Sequence, residues 1–137
     1  MTYLDNFLKG IPNSTFLIER NKVATHLFFF NQVREDGALQ QSINWEDDKN
    51  AIDFTLLQTK PDGDLQFKSG IAQVPIREID KLNMRPTVNG VLSYEREPLP
   101  ENKYHGNLII MRRVKKPQMR QIAAGIALAV SKVIQNP

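Results

Sequence analysis

The chain has 137 residues, of which 41% are hydrophobic, 24% charged and 8% aromatic, the size and make-up of one globular domain and not of a disordered or fibrous chain. It has no cysteine, which excludes disulfides, thiolate metal sites, iron–sulfur clusters and cysteine nucleophiles. The net charge of +3 is unevenly spread: residues 1–101 carry 11 basic and 15 acidic groups, and after Glu101 come seven basic groups and no acidic one.

In chain order, the first ten residues carry neither a basic leader nor a long apolar run, so a cytoplasmic protein is expected. Tyr3, Leu4, Phe7, Leu8 and Ile11 recur at helical spacing, and Gly10 with Pro12 stops them, which predicts a short N-terminal helix. Phe16-Leu17-Ile18 reads as a brief strand ended by a charged turn. Residues 23–33, with Leu27-Phe28-Phe29-Phe30 at their centre, read as one buried strand bounded by Asp36-Gly37. Residues 44–50 read as a polar turn around Trp45. Residues 51–72 alternate on either side of Lys60-Pro61-Asp62-Gly63, the pattern of a β-hairpin.

Pro75 opens a short central helix with Ile76, Ile79 and Leu82 on one side. Asn89-Gly90 between β formers signals a second hairpin. The prolines at 98 and 100 break regular structure, and residues 106–111 form another strand. Pro117 begins a long helix to about Gln135, with Met119, Ile122, Ala123, Ile126, Val130, Val133 and Ile134 as its apolar stripe. The apolar run at residues 122–130 is too short to span a bilayer, which takes about 20 residues. The expected architecture is one α+β domain over residues 1–137: a mostly antiparallel sheet of five or six strands packed by a long C-terminal helix, with short N-terminal and central helices.

Three places could carry chemistry. The loop before the strand at 106–111 offers Glu101, Asn102, Tyr104 and His105, an acid, an amide, a phenol and an imidazole within five residues. The alternative is a structural crossover in which Asn102 and His105 bond backbone groups. Arg112, Arg113, Lys115, Lys116 and Arg120 straddle the start of the long helix, where cations and free backbone donors suit phosphate; the alternative is a solvated turn. Ala124, Gly125, Leu128 and Ala129 lie off the apolar stripe as a small-residue face on which a second helix or subunit could pack; the alternative is one exposed leucine.

Other templates fail. Gly-rich phosphate loops, a nucleophile elbow and paired histidines at metal spacing are missing from the sequence. His26 sits among apolar neighbours and reads as a packed residue, and Asp47, Asp48 and Asp53 read as a solvated turn, not a cation loop. No metal site and no cofactor are expected.

From Asp36-Gly37 onward the chain resembles a family of small prokaryotic proteins. The matching residues are Ser42, Gly70-Ile71-Ala72, Ile76 to Ile79, and Pro98-Leu99-Pro100-Glu101-Asn102 with His105, over about two-thirds of the chain. Lys103 departs from the pattern, which often has a proline there. The resemblance implies a compact module and brings no activity with it. The expected function is a small non-catalytic binding module acting on a protein partner or on itself. The alternatives are a nucleic-acid-binding protein using the cations at 112–120 and a small hydrolase centred on Glu101, Tyr104 and His105.

Overall fold

Phe7 and Leu8 are both buried although they are neighbours, which a single helix face cannot arrange but a central strand covered on both sides can. The computed structural model describes residues 6–135, and the first element in it is that strand, β1 (Asn6–Gly10). It replaces the expected N-terminal helix; Tyr3 and Leu4, the start of that expectation, lie outside the described residues. The chain continues through β2 (Leu17–Glu19), β3 (Lys22–Val23), β4 (Gln32–Val33), β5 (Leu39–Trp45), α1 (Ala51–Leu56), β6 (Ile71–Pro75), α2 (Ile76–Asn83), β7 (Leu92–Arg96), β8 (His105–Ile110), α3 (Lys116–Leu128) and β9 (Lys132–Ile134).

The main sheet has the order β7-β8-β5-β1-β6-β9, with β4 also on β5, and every pairing is antiparallel. β2 and β3 form a separate two-stranded ribbon. One face of the sheet, with Phe7, Ile43, Trp45, Val74 and Leu108, packs against Ile79 and Leu82 of α2 and Ile122, Ala123 and Ile126 of α3. The opposite face meets α1 through a smaller cluster of Leu8, Ala51, Leu56, Ile71 and Tyr104. The α+β architecture and the helix α3 against one sheet face are as expected.

Three stretches differ from the expectation. Residues 23–33 are not one strand. Thr25–Phe28 is a 3-10 turn that drives Leu27 and Phe28 into the core, and the Phe28 carbonyl is met by the Gln41 side chain at 2.8 Å in place of a strand neighbour. Residues 39–45, not seen as a strand in the sequence, form the longest one, with Leu39, Gln41, Ile43 and Trp45 on one face; the glutamine in that series hides the period. Residues 51–56 are helical, because Asp48 bonds the Asn50 N–H and Ala51, Thr55 and Leu56 share a buried face. Only a single bridge, Thr59 to Leu65, remains of the expected hairpin.

The last helix ends at Leu128 and not near Gln135. Val133 and Ile134 pair with β6 as an edge strand, and Ser131 starts this departure by donating from its N–H to Gln73 O at 2.8 Å. Positions 130, 133 and 134 fit helix and strand patterns alike, and their β-branched side chains favour the strand once the β6 edge is open. Asn89 and Gly90 do adopt the left-handed conformations of a tight turn, with φ of 54° and 74°. That turn joins α2 to β7, not two strands, and Asn83 pins it by bonding both the N–H and the carbonyl of Leu92.

Candidate functional site

Backbone groups along β5 point alternately to its two neighbours. Odd residues face β8, as when the Trp45 N–H donates to Tyr104 O at 2.8 Å, and even positions face the other edge, as when the Glu46 N–H donates to Asn6 O at 3.0 Å. On that second edge β1 pairs only at Asn44 and Trp45 and β4 only at Leu39 and Gln40. Residues 41–43 therefore border a notch in the sheet, and the N–H and carbonyl of Ser42 face into it. The Lys9 ammonium crosses the notch and donates to the Ser42 carbonyl at 3.1 Å.

Two cavities open here, sharing Gly10, Ser42, Gln66 and Phe67 as a common wall. The first, about 200 Å³, is lined further by Asn44, Gln58, Glu101, Asn102 and His105. The second, about 360 Å³, is lined by Lys9, His26, Phe29, Gln40 and Gln41. Gly10 leaves the space occupied by the Phe67 ring, which a Cβ at that position would enter.

The proline-flanked loop is a tight turn in which Leu99 and Asn102 exchange both backbone bonds, at 2.9 and 3.0 Å, with Pro100 and Glu101 at its corner. Asn102 is buried and donates to Asn44 Oδ1 at 2.8 Å while accepting from the Tyr104 N–H at 3.0 Å. Asn44 in turn donates to Thr55 and Gln58, both at 2.8 Å. This chain of amides ties the loop to β5 and α1.

The structure brings Glu101, Asn102 and His105 to one cavity and turns Tyr104 away. The Tyr104 ring packs 5.3 Å from Phe54, and its hydroxyl donates to Asp48 at 2.8 Å. That hydrogen bond is the largest of the influences holding the Asp48 carboxyl below its ordinary range. The carboxylate beside His105 is Glu97, not Glu101: His105 Nδ1 is 3.0 Å from the Glu97 carbonyl and 3.5 Å from its carboxylate. His105 Nε2 is 3.4 Å from Ser42 Oγ.

Lys9 has no carboxylate within 4 Å among the described residues, and burial alone lowers its pKa to about 8. Gln41 is buried, and its Oε1 has no partner among the described residues although it belongs to the wall of the same cavity. Among the described residues, a cation without a counter-charge and an acceptor without a donor thus line one opening.

The other sequence candidates lie elsewhere. Arg112, Arg113, Lys115, Lys116 and Arg120 are exposed around the start of α3, whose first turn has no side-chain cap. Gln118 ties this end to the turn before β7 by donating to Thr87 O at 3.2 Å, two residues after the exposed Arg85. Gly125 faces α2: a Cβ there would lie 2.5 Å from Leu82. Leu128 is 85% exposed, whereas Ala129 packs partly against the core. His26 stacks on Phe16 at 4.5 Å between ring centroids. Among the described residues no group of acidic or histidine side chains is arranged to hold a metal, and no helix is long and apolar enough to cross a membrane.

No family model, curated protein or solved structure matches the chain. The main residues that sequence reasoning missed are Lys9, Gln41 and Glu97. Lys9 falls within the expected N-terminal helix, and no local pattern announces the gap between β1 and β4.

Proposed function

We propose that the chain is a binding module that captures an acidic peptide segment of a protein partner in the notch between β1, β4 and β5. The observation that carries this reading is Lys9, a half-buried ammonium that reaches the Ser42 carbonyl and has no counter-charge among the described residues, beside the cavity. A peptide carboxylate supplies that charge, and a peptide N–H supplies the donor that Gln41 Oε1 lacks. The exposed edge groups of Ser42 add a main-chain partner.

The test is a calorimetric titration with a blocked tetraglutamate peptide and its glutamine analogue. The glutamate peptide is expected to bind and the analogue not. Lys9→Met is expected to weaken binding by roughly 10- to 100-fold, the worth of one charge-assisted hydrogen bond. Equal affinity for both peptides, or an unchanged affinity in Lys9→Met, overturns the reading.

A second reading, phosphate binding at the start of α3, is favoured by one observation. Arg85, Arg112, Arg113, Lys115, Lys116 and Arg120 form no ion pair among the described residues. If the four cations at 112–116 each neutralise a phosphate of a short duplex, log affinity falls against log salt with a slope of about −3.6, a loss of roughly a hundredfold between 50 and 200 mM. Lys115→Glu with Lys116→Glu removes most of that affinity. No binding at low salt leaves the segment as a solvated turn.

A further inference from the structure

Ser42 and His105 are brought together by register. Ser42 stands opposite Asn107 and Asn44 opposite His105, so the two side chains are diagonal neighbours on the sheet face away from α2 and α3. A carbonyl oxygen only accepts, so the 3.0 Å contact with Glu97 O places the hydrogen of a neutral His105 ring on Nδ1. The lone pair is then on Nε2, which faces the Ser42 hydroxyl at 3.4 Å. Behind the ring, the Glu97 carboxylate stands 3.5 Å from Nδ1 and is held by Asn107 Nδ2 at 3.1 Å.

This order of hydroxyl, imidazole and carboxylate is the arrangement that makes serine a nucleophile. Both reacting side chains border the cavity of about 200 Å³, room for a short acyl group, and the Ser42 N–H on the open edge is a donor for a developing oxyanion.

We propose that Ser42, with His105 as its general base, hydrolyses small acyl esters in this cavity; the proposal rests on the reading of the notch as a ligand site and adds a reaction to it. Ser42 Oγ bonds to the ester carbonyl carbon while its proton passes to His105 Nε2. The carbon–oxygen bond to the alcohol breaks, and Nε2 returns that proton to the departing oxygen. Water then attacks the acyl-serine, gives a proton to Nε2, and releases the carboxylic acid as Ser42 recovers its hydrogen. Ester and water become acid and alcohol, and no cofactor is consumed. Glu97 is a positioning residue that holds the ring tautomer and faces the imidazolium.

A fluorophosphonate probe, which forms a phosphonyl ester with activated serines, tests this on the full chain, with intact mass and peptide mapping as readouts. One adduct on Ser42 is expected in the wild type and none in Ser42→Ala. A rate at least about a hundredfold lower is expected in His105→Gln, which keeps a hydrogen-bonding side chain beside Glu97 but cannot act as the base. Absence of an adduct on Ser42 in the folded wild type overturns the proposal, and so does an equal rate in a folded His105→Gln. The same preparations are titrated with the tetraglutamate peptide. Binding without labelling sinks the esterase and leaves the binding module, whereas loss of both sinks the ligand site itself.

Discussion

Gly106→Val is expected to destabilise the protein by about 3 kcal/mol or more, which lowers its melting temperature by roughly 10 °C. At Gly106 the Trp45 indole crosses β8 to donate from Nε1 to the Glu95 carbonyl at 3.1 Å. A Cβ at residue 106 would land on that nitrogen and on the Glu95 carbonyl. The carbonyl is backbone and cannot swing aside, so the indole must leave or the β7–β8 pairing must open. Trp45 also carries Arg96 over its face at 4.4 Å and Tyr94 against its edge at 5.6 Å, and these contacts go with it. A thermal melt followed by tryptophan fluorescence measures both effects, and an unchanged transition contradicts this account of the glycine.

Asn102→Ala is the second large effect, with an expected loss of about 2–4 kcal/mol. Truncation leaves Asn44 Oδ1 without its donor and the Tyr104 N–H without its acceptor, and each orphaned buried group costs about 1–3 kcal/mol. Asn44 continues to Thr55 and Gln58, so loosening is expected to reach α1 and to appear as faster hydrogen exchange at residues 51–56. Chemical denaturation of the variant checks the size. A change below about 0.5 kcal/mol would mean that the amide chain is not supporting the loop.

The sequence showed the architecture more clearly than its parts. Hydrophobic runs at residues 106–111 and 119–126 announced β8 and α3: β8 is buried along almost its whole length between two strands, and α3 keeps Ile122, Ala123 and Ile126 in the core as one helical stripe. Pro75 with Ile79 and Leu82 announced α2 likewise. Failure came where one pattern serves two structures. Phe7 and Leu8 are buried on opposite faces of a central strand, so their spacing mimics a helix. Val133 and Ile134 continue a helical stripe and equally suit an edge strand. In β5 a buried glutamine stands where a reader expects an apolar side chain, and its reason is the Phe28 carbonyl 13 residues away.

The candidate site was legible only in its local half. Asn102 and His105 were visible because proline and glycine mark their loop, and both border the cavity. Their partners are Asn44, Glu97 and Ser42, and register, not spacing, brings the two β5 residues, Asn44 and Ser42, to the loop. Tyr104 shows the limit of neighbourhood in sequence: one residue from His105, its hydroxyl serves the other side of the loop and Asp48. Lys9 was least legible of all. Its significance lies in the strand pairing that β5 lacks at residues 41–43 and the carboxylate that Lys9 lacks among the described residues, and neither absence is written in residues 6–10.

Its titration is the most direct measurement. Carbon-13 labelling at lysine Cε, followed through a pH series, reports the Lys9 pKa with and without the blocked tetraglutamate peptide. The free protein is expected to show a midpoint near 8, because burial disfavours the ammonium. A bound carboxylate favours the ammonium, so saturating peptide moves the midpoint up by about one pH unit or more, and the glutamine analogue leaves it in place. By linkage, affinity is then constant between about pH 6 and 8, where the peptide carboxylates stay ionised, and falls by about tenfold per pH unit above it until the bound form also titrates. A Lys9 midpoint at the ordinary lysine value of about 10.4, indifferent to the peptide, would contradict the reading of the notch as a carboxylate site.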